Sequence, residues 1–161
     1  ISGTLDVDGN VTLGNATSDA TTVSGTLAVQ STTNSTSKTT GAVVVSGGVG
    51  INNDLHVGGD ITAFSSSDRT LKENAVGITS ALYKVGLITG YTYSWKSDYH
   101  VAGLGIEDTG VIAQEVEALG LPGITTTRED GIKAVRYERL VPLLIQAIKE
   151  LEARVKTLES S

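Results

Sequence analysis

Large apolar side chains near the C-terminal end fall at Tyr137, Val141, Leu144, Ile148, Leu151, Val155 and Leu158, stepping alternately by four and three residues. That spacing lays one narrow stripe along an α-helix, and such a stripe needs another helix to cover it. The pattern predicts a coiled-coil helix over about residues 138–159, with Val141, Ile148 and Val155 at a positions and Leu144, Leu151 and Leu158 at d positions. Taken alone, β-branched residues at a with leucine at d favour two strands. Arg154-Val155-Lys156-Thr157-Leu158-Glu159, however, matches the Arg-h-x-x-h-Glu pattern of trimeric coiled coils. There the arginine stem packs over the seam and its head pairs with a glutamate of the next chain. A homotrimer is therefore expected. Pro142 falls in or near the first turn, where its missing N–H costs least.

The rest of the chain divides by composition. Residues 1–66 hold ten of the nineteen glycines, one aromatic residue (Phe64) and one cation (Lys38), whereas residues 67–161 hold the other six aromatics and both prolines. Within the first part, Ile1-Ser2-Gly3-Thr4-Leu5 returns as Val23-Ser24-Gly25-Thr26-Leu27 and, loosened, as Val45-Ser46-Gly47-Gly48-Val49, at intervals of 22 residues. Leu5-Asp6-Val7-Asp8-Gly9-Asn10-Val11-Thr12 is echoed by Leu55-His56-Val57-Gly58-Gly59-Asp60-Ile61-Thr62. Short apolar/polar alternations punctuated by Gly, Asn and Asp read as strands and turns, and a fixed period implies a solenoid or fibre. Small aliphatics could not offset the backbone-ordering cost in a lone chain, so other copies are expected to supply the missing surface. The sequence thus predicts an all-β repeat stalk over 1–66, a trimeric triple-stranded β-helix. Gln30–Thr40 alone has the look of a flexible linker.

For residues 67–161 the prediction is a small α+β domain ending in the long coiled-coil helix. An amphipathic stretch around Thr79–Leu87 reads as a helix, Tyr91, Tyr93 and Trp95 as one face of a strand, Val111–Leu119 as a short helix, and Gly131–Val135 as a return strand. One cation against five carboxylates gives the first part a net charge of −4, and eleven against thirteen gives the second −2. Neither shows the basic excess of a nucleic-acid binder. The chain has no cysteine and thus no disulfide or thiolate metal site, and no apolar run is long enough to span a bilayer. Because the chain opens on Ile1 inside a repeat, it reads as a fragment.

At the compositional boundary stands Ser67-Asp68-Arg69-Thr70-Leu71-Lys72-Glu73-Asn74. A serine five residues before a lysine suggests a Ser-Lys dyad, in which a neutral amine takes the hydroxyl proton. Ser67 Oγ would attack the carbonyl carbon of Ser66, Lys72 would accept the proton, and water would hydrolyse the resulting ester, breaking Ser66/Ser67. The lysine must be neutral, which calls for burial or a cationic neighbour. Asp68 and Arg69 are candidates for positioning the strand or the carbonyl, as are Gln114 and Glu115 within Ile112-Ala113-Gln114-Glu115-Val116. The competing reading makes Ser67 or Asp68 a turn cap and Lys72 and Glu73 a solvated face. His56 and His100 have no ligand-spaced partner, so neither a metal nor another cofactor is expected, although His100 follows the aromatic strand and could reach the site. Gly47-Gly48-Val49-Gly50 lacks the lysine and helix of a phosphate loop.

The octet is followed, in one order, by Tyr93-Ser94-Trp95-Lys96, Gly110-Val111-Ile112-Ala113-Gln114-Glu115-Val116-Glu117, Tyr137-Glu138-Arg139-Leu140-Val141-Pro142-Leu143-Leu144 and Ala147-Ile148-Lys149-Glu150-Leu151. Over about residues 67–158 the chain resembles the C-terminal intramolecular chaperone domain of phage tail fibres and tailspikes, the self-cleaving peptidase S74 family seen in endosialidase tailspikes. Some members carry an arginine three residues after the serine, where this chain has Thr70. The resemblance implies the end of a virion tail fibre, with residues 67–161 a chaperone that trimerises, folds the stalk of its own chain and then cuts itself off in the host cytoplasm during assembly. A host surface receptor would be met through the upstream fibre, and no nucleic acid or membrane partner is implied. The alternative is a fibre tip kept as a non-cleaving trimerisation or receptor-binding cap. A membrane-anchored transcription factor with a similar domain is disfavoured by the glycine-rich first part.

Overall fold

The computed structural model describes residues 7–96 and 107–161. The chain divides into two compact units, Ile1–Phe64 and Ser65–Ser161.

The described part of the first unit contains neither a strand nor a helix, only bends, turns and extended chain. Its apolar side chains lie in the open, from Val57 at 46% exposed to Leu27 at 73% and Phe64 at 94%. The expected all-β stalk, a trimeric triple-stranded β-helix, is overturned by this: every described strand lies in the second unit, in two separate two-stranded sheets, and neither sheet closes or curls. The physical reason lies in the residues between the apolar ones. Asp19 Oδ2 accepts the N–H groups of Asn15 and Ala16 at 2.7 and 3.1 Å, and Thr40 Oγ1 accepts those of Thr36 and Ser37 at 2.8 and 2.9 Å. Short polar side chains thus satisfy their own backbone locally and compete with any ladder. The 22-residue recurrence is real, but among the described residues of the first unit it forms no strand pairing.

The second unit is a small mixed α+β domain. Helix α1 spans Ala81–Val85, and strand β1, Gly90–Ser94, pairs antiparallel with β2, Glu107–Val111, with Tyr91 opposite Gly110. Helix α2 is Ala113–Glu117, and β3, Thr125–Thr127, pairs antiparallel with β4, Lys133–Val135. A 3-10 turn, Tyr137–Leu140, leads into α3, Val141–Glu159. The tyrosines of β1 share the more buried face, as alternation requires. Between β3 and β4 the chain reverses at Gly131, whose φ of 81° lies in the left-handed region open to glycine, while Asp130 Oδ1 accepts Ile132 N–H at 2.9 Å.

The core is short but specific. Leu143 and Ala147 of α3 are buried against Ala81 of α1 and Leu119, with Ile78, Leu82 and Leu140 packed around them. Val116 and Ile124 fill the space where α2 meets the second hairpin. Helix α1 has no side-chain cap of its own, because Ser80 sits in the left-handed region with φ 53°. Glu150 of α3 takes its place, accepting Ala81 N–H at 2.9 Å and Leu82 N–H at 2.8 Å. The orphan donors of one helix are therefore satisfied by a carboxylate 69 residues away, which fixes α1 on α3.

Helix α3 begins at Val141, three residues later than the expected 138. Residues 137–140 wind as 3-10, and Pro142 stands in the first turn of α3, where its missing N–H costs least. Tyr137 consequently leaves the seam, and its hydroxyl accepts Val111 N–H at 3.2 Å. It also crosses over Gly110, where any Cβ would collide with the Tyr137 hydroxyl. The remaining seam residues Val141, Leu144, Ile148, Leu151, Val155 and Leu158 stay 44–77% exposed, on a face other than the one that holds Leu143 and Ala147.

Candidate active site

The boundary octet folds into a single turn. Asp68 is the N-cap of a 3-10 helix over Arg69–Leu71, with Leu71 N–H donating to Asp68 O and Lys72 N–H to Arg69 O, both at 3.2 Å. Asp68 Oδ1 accepts two further bonds from Thr70, 2.8 Å from its N–H and 2.7 Å from its hydroxyl. This local capping is what an Asp two residues before a Thr favours. One 3-10 turn then carries the chain back far enough for Lys72 Nζ to donate to Ser67 Oγ at 2.6 Å. Chemically, the contact needs only the loss of one ammonium proton to run the other way, with the serine hydroxyl donating to an amine lone pair.

Ser67, Asp68 and Lys72 are thus brought together, and all three are exposed, as are Ser66 and Arg69. Hydrogen bonds hold the Asp68 carboxyl below the usual carboxylate range, that from the Thr70 hydroxyl first and that from the Thr70 N–H second, with a smaller contribution from the nearby Lys72 charge. Arg69 gives the turn its carbonyl, and its side chain points into the open.

Glu115 is engaged elsewhere. Its Oε1 accepts the Tyr91 hydroxyl at 2.7 Å and its Oε2 accepts Thr89 N–H at 3.0 Å, so it ties α2 to the start of β1. Those bonds, the tyrosine's first, keep its carboxyl below the ordinary value. Gln114 is exposed on a concavity of about 940 Å³ within the second unit, together with Tyr93, Trp95, Asp108, Ile132 and Tyr137. Both residues of the expected positioning pair therefore have neighbours other than the Ser67 turn. His56 is exposed in the first unit, and His100 lies outside the described residues.

Two residues at or near these features carry more than their sequence suggested. Thr70 was a mere departure from the family pattern, yet the Asp-x-Thr spacing is an N-cap signal that could have marked it. Tyr137 read as a seam position, and nothing in the periodicity pointed to its hydroxyl bond with β2.

Comparison with known proteins places this geometry in context. Residues 67–125 match the Peptidase_S74 family model, described as the chaperone of endosialidase. The long tail fiber protein Gp37 of Enterobacteria phage K3 is 37% identical over 117 residues, and the protein of the same name from Enterobacteria phage T2 matches equally over the same length. Those alignments cover 68% of this chain but only 9% and 8% of the relatives, so the chain spans less than a tenth of the length of either.

Proposed function

This chain belongs, through its C-terminal domain, to the peptidase S74 chaperone family typical of phage tail fibres and tailspikes, and we propose from that premise that it is a self-releasing assembly domain. In this reading residues 1–66 are the fibre segment and residues 67–161 the chaperone, which associates as a trimer through α3, guides its own upstream chain, and then cuts Ser66/Ser67. The observation that carries it is the 2.6 Å contact between Lys72 Nζ and Ser67 Oγ, at the point where the chain's character changes.

The chemistry closes with water as the only co-reactant. Ser67 Oγ attacks the Ser66 carbonyl carbon as its proton passes to a neutral Lys72, and the carbon–nitrogen bond breaks as the Ser67 nitrogen receives that proton. An ester then joins the Ser66 carbonyl to Ser67 Oγ. Lys72 draws a proton from water, hydroxide adds to the ester carbonyl, and the bond from that carbon to Ser67 Oγ breaks as Oγ takes the proton from Lys72, leaving a Ser66 carboxylate and a chain beginning at Ser67. Asp68 stands close enough to the lysine for its carboxylate to favour the positive charge that develops there.

In one chain the pair is exposed to water. Burial would come from neighbouring chains drawn together by the open seam on α3, which makes cleavage the last event of assembly. Removing the template afterwards leaves the fibre without its folding route in reverse, a gain in kinetic stability.

Mass spectrometry of freshly expressed protein tests the proposal: a fragment beginning at Ser67 is expected. Ser67→Ala should abolish cleavage and Lys72→Ala nearly so, with both variants still associating, because neither residue belongs to the core or the seam. Intact chain from an associated wild-type protein would refute the peptidase and leave the non-cleaving trimerisation tip.

A further inference from the structure

We propose that Thr70 is a positioning residue for cleavage, acting through Asp68 to hold the Ser67–Lys72 contact closed. The proposal rests on the self-cleavage reading above and assigns a role to a residue that touches neither the nucleophile nor the base.

The geometry is specific. A flexible lysine side chain reaching back five residues samples many rotamers in water, and only a fixed backbone turn limits how far Nζ strays from Oγ. The backbone here is fixed by one 3-10 turn, whose two main-chain bonds are long, at 3.2 Å each. The short bonds come from the clasp, where a single oxygen, Asp68 Oδ1, binds the Thr70 N–H at 2.8 Å and its hydroxyl at 2.7 Å. Asp68 is bonded covalently to Ser67, and Thr70 stands two residues before Lys72. Tightening the pair between them therefore sets the spacing of the two reacting side chains. The clasp lies wholly on the surface and outside the core. Its loss is expected to change reactivity without loosening the domain.

Catalysis by proximity is steep in distance, and displacement by about 1 Å costs on the order of 100-fold. Thr70→Val keeps the shape and the N–H bond and removes the hydroxyl bond, so cleavage is expected to slow by roughly 10- to 100-fold. Thr70→Ser, which restores the hydroxyl, should return most of the rate. Asp68→Ala should slow cleavage at least as much as Thr70→Val, and Asp68→Ala with Thr70→Val should be no slower than Asp68→Ala alone, since both break one clasp.

The experiment follows the half-time of cleavage in full chain by mass spectrometry for these four variants and wild type. Thermal midpoint and light scattering are recorded on each variant in a Ser67→Ala background, where no chain is lost. Slower cleavage in Thr70→Val with rescue by Thr70→Ser, at unchanged midpoint and assembly, supports the proposal. Cleavage of Thr70→Val at the wild-type rate overturns it and leaves the peptidase reading intact. Absence of cleavage in wild type overturns that reading itself, and the positioning role with it. A slowed Thr70→Val whose midpoint falls in step, with no rescue by serine, assigns Thr70 a structural role and also overturns the proposal.

Discussion

The first unit and helix α3 both leave aliphatic side chains in the open, yet they do so for opposite reasons. In residues 7–64 Val, Leu and Ile stand on backbone with no ladder and no helix, so each is exposed because nothing local gathers it to a neighbour. On α3 the exposed Leu144, Ile148, Leu151, Val155 and Leu158 ride a preformed helix whose other face is anchored by buried Leu143 and Ala147. The same chemical groups are thus scattered surface in one region and a continuous stripe in the other. Under the proposed function this division has a use: the entropy of ordering falls on a small domain with its own core, and the stripe on α3 would meet another copy already helical.

The largest effect is expected where that contrast is sharpest. Replacing both Leu151 and Leu158 with Asp puts carboxylates on the seam, which cost several kcal/mol each once association buries them against like charges. Light scattering should then report single chains, and a denaturing gel should show no cleavage, although the reacting turn is untouched. Single chains that still cleave at the wild-type rate would place the complete site within one chain and remove association as the trigger.

Next in size is the anchor beneath the seam. Leu143 is fully buried between α1 and α3, so Leu143→Ala should destabilise the second unit by about 2–5 kcal/mol. Thermal unfolding monitored by circular dichroism measures it. A loss under about 1 kcal/mol would mean that α3 stands without α1 and that its seam is not presented by a core.

The Glu150 cap gives a smaller, pH-dependent effect. Its carboxyl lies below the ordinary value because Leu82 N–H, and then Ala81 N–H, donate to it. A depressed carboxylate contributes stability that is complete above its unfolded value of 4.5 and is lost as pH falls through the lower folded value. Wild type should therefore lose thermal midpoint as pH falls below about 4.5. Glu150→Gln should start from a lower midpoint at neutral pH and fall less over that range. Equal acid sensitivity in the two proteins would mean that the clamp between α1 and α3 does not depend on this carboxylate.

How much of this was legible in the sequence follows from which forces are local. The helices around Thr79–Leu87 and Val111–Leu119, the strand bearing Tyr91 and Tyr93, and the strand ending at Val135 were readable because side-chain period and turn residues act within a few positions, although β1 stops at Ser94, one residue before Trp95, and Val111 ends β2 instead of opening α2. The Ser67–Lys72 spacing was readable for the same reason, since one capped turn joins them. What the sequence hid was long-range or negative. Glu150 as the cap of α1 and Tyr137 as the partner of Val111 join residues 69 and 26 apart, and no periodicity marks either bond. The repeat of residues 1–66 misled because recurrence specifies equivalence between copies, whereas a sheet also needs surface to bury, which Val, Gly, Ser and Thr do not supply within one chain.

The smallest effect belongs to the first unit, and it tests the contrast from the other side. Leu27 and Val29, at 73% and 47% exposed, belong to one copy of the repeat and touch no core. Truncating a side chain that water already surrounds removes little, so Leu27→Ala and Val29→Ala are each expected to change stability by no more than about 0.5 kcal/mol. Ser67→Ala should be present in every chain compared, so that both regions stay joined while unfolding is followed. Denaturant unfolding at a concentration where light scattering reports single chains gives the reference value, and the same measurement on associated protein gives the second. A loss of about 2 kcal/mol or more in single chains would overturn the picture, because truncation is that costly only for a side chain that is already packed. A loss confined to the associated protein would mean that association itself covers the first unit's aliphatics, and that their exposure is a property of the chain before its partners arrive.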